Sequence, residues 1–197
     1  MILSNAEIHA ALDSKRLIID PEPTPRFPSL EQPDCPYQTT AVDLQLSAEL
    51  QLPKGKRPFA FDLRQGGLAQ FIAETFESIK IDPRGGFALQ PGQFVLGKTI
   101  ERVSLPIVGD EGNLAARVEG RSSFARCGLV IHFTAPTIHS DFDGTITLEL
   151  LNSGPNSIVL TEGMKICQLI VEEVRGRPIK NPSQFQGQTT PGGLRKR

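Results

Sequence analysis

The chain has 197 residues, enough for one well-filled core but short for two independent domains. Its hydrophobic (39%) and charged (22%) fractions are those of an ordinary globular protein. A formal net charge of −1 argues against general nucleic-acid binding, which needs a broad basic face, but leaves room for a few arginines around a phosphate.

Ser4-Asn5-Ala6-Glu7 has the form of a capping box, and Ile8, Ala11 and Leu12 continue it as a helical apolar face, so a short helix is expected to end near Ser14. Leu17-Ile18-Ile19 reads as strand. Pro21, Pro23, Pro25, Pro28, Pro33 and Pro36 then hold residues 20–38 in an extended or irregular surface segment. Val42-Asp43-Leu44-Gln45-Leu46 alternates with the period of a half-buried strand. Leu68, Phe71, Ile72, Phe76 and Ile79 recur at helical spacing and predict a second helix over about 67–78.

From residue 86 onward short apolar runs alternate with turn residues: 87–89, 94–96, 129–133, 146–151, 158–160 and 166–171. Many short strands at this spacing predict a mainly β sandwich or barrel with two helices, not a parallel α/β sheet. Residues 1–174 are expected to form a single domain. The Pro-, Gly- and Gln-rich tail 175–197 is mobile by default, or folds as a lid through Phe185 and its glycine hinges. No run approaches the roughly 18 apolar residues of a membrane span, and the N-terminus lacks a signal pattern, so a cytoplasmic location is expected. Cys35, Cys127 and Cys167 are scattered and outside CxxC spacing, which favours free, mostly buried thiols over disulfides or zinc ligands.

Two segments carry the chemistry. Gly120-Arg121-Ser122-Ser123-Phe124-Ala125-Arg126 offers two fixed cations and two hydroxyls on a glycine-started bend, a combination suited to a polyphosphate; an ordinary capped turn is the competing reading. Thr145-Ile146-Thr147-Leu148-Glu149 places one carboxylate in an apolar strand. On strand alternation Glu149 shares a face with Thr145, Thr147 and Leu151, which is either a solvated face or the setting of a sequestered general acid/base. Gln168, between Cys167 and Leu169, is either a buried amide reading a base edge or a structural hydrogen-bonding group. The three histidines are too dispersed for a metal site, and neither a P-loop, a dinucleotide motif nor the HxE…PCxxC signature of zinc deaminases is present.

Taken in order, several motifs resemble the dCTP deaminase branch of the dUTPase-like superfamily. They are Met1-Ile2-Leu3-Ser4, residues 16–21, Thr39-Thr40-Ala41-Val42-Asp43-Leu44, residues 89–97, residues 120–126, Thr134-Ala135, residues 145–149, residues 163–169 and Phe185-Gln186-Gly187-Gln188. The resemblance implies a distorted jelly-roll or β-barrel protomer, a homotrimer with sites at subunit interfaces, and zinc-independent deamination of dCTP to dUTP and ammonia. Mg2+ would accompany the triphosphate. Glu149 would activate water, with Arg126, Ser122 and the Ala135 carbonyl positioning that water and the amino group. Arg121, Ser122, Ser123, Phe124, Ala125 and Arg126 would hold phosphates, Thr147, Leu148 and Glu149 the base and sugar, and Gln168 and Gln188 would assist.

The pattern departs from the family at residues 135–142, where Pro136, Thr137 and His139 replace the usual Ala-His-Arg-Ile-Asp run and Asp141 stands two positions beyond the expected aspartate. Gln184 and Phe185 stand where Lys-Tyr is usual, so one phosphate contact is either missing or supplied by Lys180. A deaminase forming dUTP is therefore expected, with a bifunctional enzyme giving dUMP, or a non-catalytic nucleotide-binding relative, as the alternatives.

Overall fold

The computed structural model describes residues 1–55, 62, 64, 66–181 and 186–192. Helix α1 (Asn5–Asp13) begins as the capping pattern predicts: the Ser4 hydroxyl accepts the Glu7 N–H, and Ile8, Ala11 and Leu12 are buried. Strand β1 (Ile18–Asp20) follows, then the proline-rich segment, β2 (Tyr37–Gln38), β3 (Ala41–Gln45) and β4 (Glu49–Pro53).

Helix α2 (Leu68–Thr75) is shorter than its apolar periodicity suggests. Phe76 and Ile79 belong instead to β5 (Phe76–Lys80), an antiparallel partner of β4 in which Ile79 lies opposite Leu50. A run that satisfies both the helical and the strand period is decided by the neighbouring edge it can pair with.

The remaining strands are β6 (Phe87–Leu89), β7 (Phe94–Ser104), β8 (Asn113–Gly120), β9 (Leu129–Val130), β10 (Thr137–Ile138), β11 (Asp143–Asn152), β12 (Ile158–Leu160) and β13 (Lys165–Val174). A third helix, the single turn α3 (Ser122–Ala125), adds to the two expected and falls within the arginine–serine segment. The strand expected over 129–133 stops at Val130, because β9 meets β11 only at its last two residues, Leu151 and Asn152.

One sheet runs β5-β4-β7-β11-β9 with β1 also on β7; the other runs β10-β8-β13-β3-β2, and β6 pairs with β12. Both large sheets feed one core, which includes Val42, Leu44, Val118 and Leu169 from one and Leu50, Val95, Leu148 and Leu150 from the other. The molecule is mainly β, as the strand spacing predicts. Core packing is tight at Gly97 on β7, where a Cβ would lie 3.1 Å from both Leu46 Cδ1 and Leu150 Cδ1.

Two irregularities in the ladders are repaired by side chains. The β11–β7 register slips between Thr145 and Thr147, and Thr99 Oγ1 accepts the Ile146 N–H at 3.0 Å. The β13–β3 register slips between Lys165 and Cys167, and the Glu101 carboxylate accepts the Gln45 N–H at 2.9 and 3.2 Å. Glu101 is 2% exposed, and burial raises its pKa above the usual carboxylate value against the opposing pull of the Gln45 N–H. Cys35 and Cys167 are buried free thiols, whereas Cys127 is exposed.

Candidate functional site

β11 alternates strictly, with Ile146, Leu148 and Leu150 buried and Thr145, Thr147, Glu149 and Leu151 half-buried. Glu149 therefore lies on the face that sequence alternation assigns it, neither fully solvated nor sealed, opposite Leu96 of β7. Its carboxylate is specifically engaged, with Oε2 accepting the Phe133 N–H at 3.2 Å. That contact takes up a backbone donor just beyond the end of β9. It also places Phe133, two residues before Ala135, against the acid. Phe133, half exposed, and Phe94, 5.9 Å away between ring centroids, form an apolar rim close by.

Arg121 is held three ways. Nη1 donates to the Lys165 carbonyl at 3.4 Å, Nη2 lies 3.9 Å from Asp43 Oδ2, and the guanidinium carbon sits 5.6 Å from the Phe124 ring centroid. Ser122, Ser123, Ala125 and Arg126 are exposed on α3 and just after it. Among the described residues no side-chain hydrogen bond or ion pair occupies Arg126, Ser122 or Ser123, so no direct bond joins them to Glu149. Their cation and hydroxyls are available to a ligand arriving from outside the protomer.

Gln168 is half-buried on β13, in register with Glu119 of β8 and Asp43 of β3. Its Nε2 donates to Asp43 Oδ1 at 3.0 Å, so the structural hydrogen bond weighed for this amide is present. Asp43 and the neighbouring Lys165 also line a cleft of about 230 Å3 with Pro21, Pro36 and Glu101. Lys165 Nζ lies 2.7 Å from Asp34 Oδ1, which holds the exposed Asp34 carboxyl below the usual range. In the sequence Asp43 is readable only as the polar member of an alternating strand; a carboxylate between Val42 and Leu44 is the same signal that singles out Glu149.

The tail lies along the opposite end of β11. The Gly187 N–H donates to the Asp143 carbonyl at 2.7 Å, the Thr145 N–H to the Gln188 carbonyl at 3.2 Å, and Gln188 Nε2 to the Thr145 carbonyl at 2.8 Å. Gly144 permits this approach, since a Cβ there would lie 3.0 Å from the Gln188 carbonyl oxygen. Gln188 is thus fixed four residues along the strand from Glu149, about 13 Å at the usual strand rise. Lys98 Nζ adds a bond to the Thr189 carbonyl at 2.6 Å.

In the departing loop His139 is exposed, and Asp141 has φ +71° and takes Lys180 Nζ at 3.0 Å. Lys180, considered from the sequence as a phosphate contact, is engaged by that aspartate. Gln184 and Phe185 lie outside the described residues. Among the described residues no three His, Cys, Asp or Glu side chains are grouped to hold a metal ion, and no helix is long and apolar enough to cross a membrane.

Comparison with known proteins gives a consistent result. The model of a family described as dCTP deaminase-like matches residues 2–174. The chain is 37% identical over 198 residues to a dCTP deaminase of Haloarcula marismortui, covering 97% of this chain and 92% of that one. It is 35% identical over 204 residues to a dUMP-forming dCTP deaminase of Halobacterium salinarum, covering 100% and 95%. Among solved structures, 2'-deoxycytidine 5'-triphosphate deaminase from Agrobacterium tumefaciens aligns with a TM-score of 0.57 at 16% identity. That alignment covers 88% of this chain and 48% of the other, and supports the fold.

Proposed function

Because the chain belongs to the dCTP deaminase-like family, we propose that it hydrolyses dCTP to dUTP and ammonia, with Glu149 as general acid/base. The observation that carries this reading is the Glu149 carboxylate, held on a half-buried face and bonded to the backbone at Phe133 beside Ala135. Glu149 takes a proton from water as the oxygen adds to cytosine C4. It passes that proton to N3, then takes the proton of the new C4 hydroxyl and delivers it to the exocyclic nitrogen, and the C4–N bond breaks to release ammonia and leave the C4 carbonyl beside N3–H. Using one carboxylate in both halves contributes about 10²–10⁴-fold, and the rest comes from holding the water and the charge that develops.

Arg126 and Ser122 supply a fixed charge and a hydroxyl at that centre, while Ser123, Phe124 and Ala125 shape the turn carrying them. Arg121 and the serines take phosphate oxygens, Thr147 and Leu148 border the base and sugar, and Gln168 and Gln188 complete the grip. The exposure of residues 122, 123 and 126 in the protomer fits a site completed by a neighbouring subunit of a homotrimer. Mg2+ enters as part of the substrate, chelated by the triphosphate. The cationic, hydroxyl-bearing segment 121–126 offers no carboxylate set to hold it, and no step is assigned to it. Water activation is assigned to Glu149, and the proposed step uses no zinc.

The competing product is dUMP, named for the Halobacterium salinarum relative. One observation favours dUTP: Asp141, the acid nearest the expected position, is engaged by Lys180. The test is incubation of the full chain with dCTP and Mg2+ and assay of ammonia, dUTP, dUMP and pyrophosphate. Ammonia with dUTP is expected, dUMP with pyrophosphate would establish the bifunctional reaction, and binding without ammonia would mark a non-catalytic protein.

A further inference from the structure

Asp43 plays no part in the reaction just described, yet its side chain is fully enclosed on the interior strand β3 (0% exposed). An ionised carboxylate in such a place is costly unless hydrogen bonds and an opposite charge compensate it. Two amides and one guanidinium do so: Gln168 Nε2 at 3.0 Å from Oδ1, Gln38 Nε2 at 3.2 Å from Oδ2, and Arg121 Nη2 at 3.9 Å from the same Oδ2. The amides fill lone pairs but carry no charge, so Arg121 is the cation that balances this acid.

The consequence for Gln168 is directional. A carboxylate can only accept, so the Gln168 amide must turn its NH2 inward and leave Oε1 as the acceptor on the other side. A half-buried glutamine without such an anchor can present either end. We propose that Asp43 is a positioning residue for the nucleotide. One buried charge presets the Gln168 amide on β13 and the Arg121 guanidinium before α3, so that Gln168 offers an acceptor to a hydrogen-bond donor of the nucleotide. This rests on the reading that Gln168 and Arg121 face dCTP.

The experiment measures calorimetric dCTP binding and steady-state deamination on the full chain and its variants. Asp43→Asn keeps the shape, removes the charge and sets a second NH2 against the amide donors. It is expected to raise Kd and KM about tenfold or more, with kcat within about threefold, because the group lost orients binding and does not react. A merely structural role would instead lower the unfolding midpoint and the active fraction at unchanged KM, and that result would overturn the proposal.

Gln168→Ala is expected to raise KM about fivefold in the wild-type background and less than about twofold beside Asp43→Asn, as coupled partners do. Multiplicative effects would overturn the coupling. Gln168→Asn removes the reach to Asp43 from a half-buried position and leaves the buried acid in place, so it tests the same tether even where Asp43→Asn does not fold. It should bind as poorly as Gln168→Ala, and wild-type affinity would sink the idea. Wild-type deamination of dCTP with uncoupled variants rejects the positioning role alone, whereas a wild-type chain that neither binds nor deaminates dCTP rejects the functional reading and this proposal with it.

Discussion

Two carboxylates stand on interior strands of the two sheets, and the chain provides for them differently. Asp43 is enclosed and meets two amides and a guanidinium from its own protomer. Glu149 is half-buried, takes one backbone N–H, and has Arg126 and Ser122 assigned to it with no direct bond in the protomer. The first acid is part of a completed network that fixes neighbouring side chains. The second keeps lone pairs available at the edge of an open surface, which is what a proton-transferring group needs and a structural acid avoids. On the proposed function, the contrast separates a preset binding half of the site from a reactive half finished by substrate and by a second subunit.

Glu149→Gln tests the reactive half most severely. It keeps the shape and an oxygen to accept the Phe133 N–H but removes the base, so ammonia release should fall by at least about 10²-fold while dCTP binding persists. An active glutamine variant would remove Glu149 from the mechanism and leave the two acids equally structural. Arg126→Ala comes next, with an expected fall in kcat/KM of about 10–100-fold from losing charge-assisted hydrogen bonds to the ligand. Since Arg126 makes no side-chain bond within the described residues, the unfolding midpoint should stay within about 2 °C of wild type, as for a surface substitution. Unchanged kinetics would return residues 121–126 to an ordinary exposed turn.

What is legible in the sequence follows the same division. The Ser4 cap, the alternation of β11 and the placement of Glu149 all come from local periodicity, and each is found where the spacing puts it. Residues 76–78 and 131–133 depart from their expected elements because their outcome depends on distant partners: β4 pairs with 76–80, and β11 offers β9 only Leu151 and Asn152. Asp43 is visible as an acid in a strand, but no local signal says that Gln38, Gln168 and Arg121 converge on it from 5, 125 and 78 residues away. Tertiary polar networks of this kind leave residue types in the sequence without leaving their pairing.

The tail offers a milder test of the boundary between the two halves. Gln188→Ala deletes the bond to the Thr145 carbonyl and the proposed nucleotide contact, while the backbone bond between Gln188 and Thr145 remains. Loss of a neutral hydrogen bond corresponds to about 2–10-fold in KM, and the tail should become easier to cleave by trypsin in the absence of nucleotide. A variant with wild-type KM would confine Gln188 to docking the tail.

The smallest effect concerns Glu101, the buried acid beside the Asp43 cleft that neither half of the site uses. Its pKa is raised in the folded state, mainly by burial, so the native protein binds this proton more tightly than the unfolded chain. Stability from this group is therefore present at low pH and is lost as pH rises from about 4.5, the unfolded value, through the raised folded value. Thermal unfolding followed across that window should show a decline in the wild type that Glu101→Gln flattens, since a neutral amide can still accept the Gln45 N–H. A decline of equal slope in the variant would assign the pH dependence to other groups. Because Glu101 supports the β3 strand that also carries Asp43, the same titration should leave KM for dCTP unchanged if the binding half is held by Asp43 itself. A KM that follows the Glu101 titration would move the positioning role from the Asp43 network to the strand as a whole.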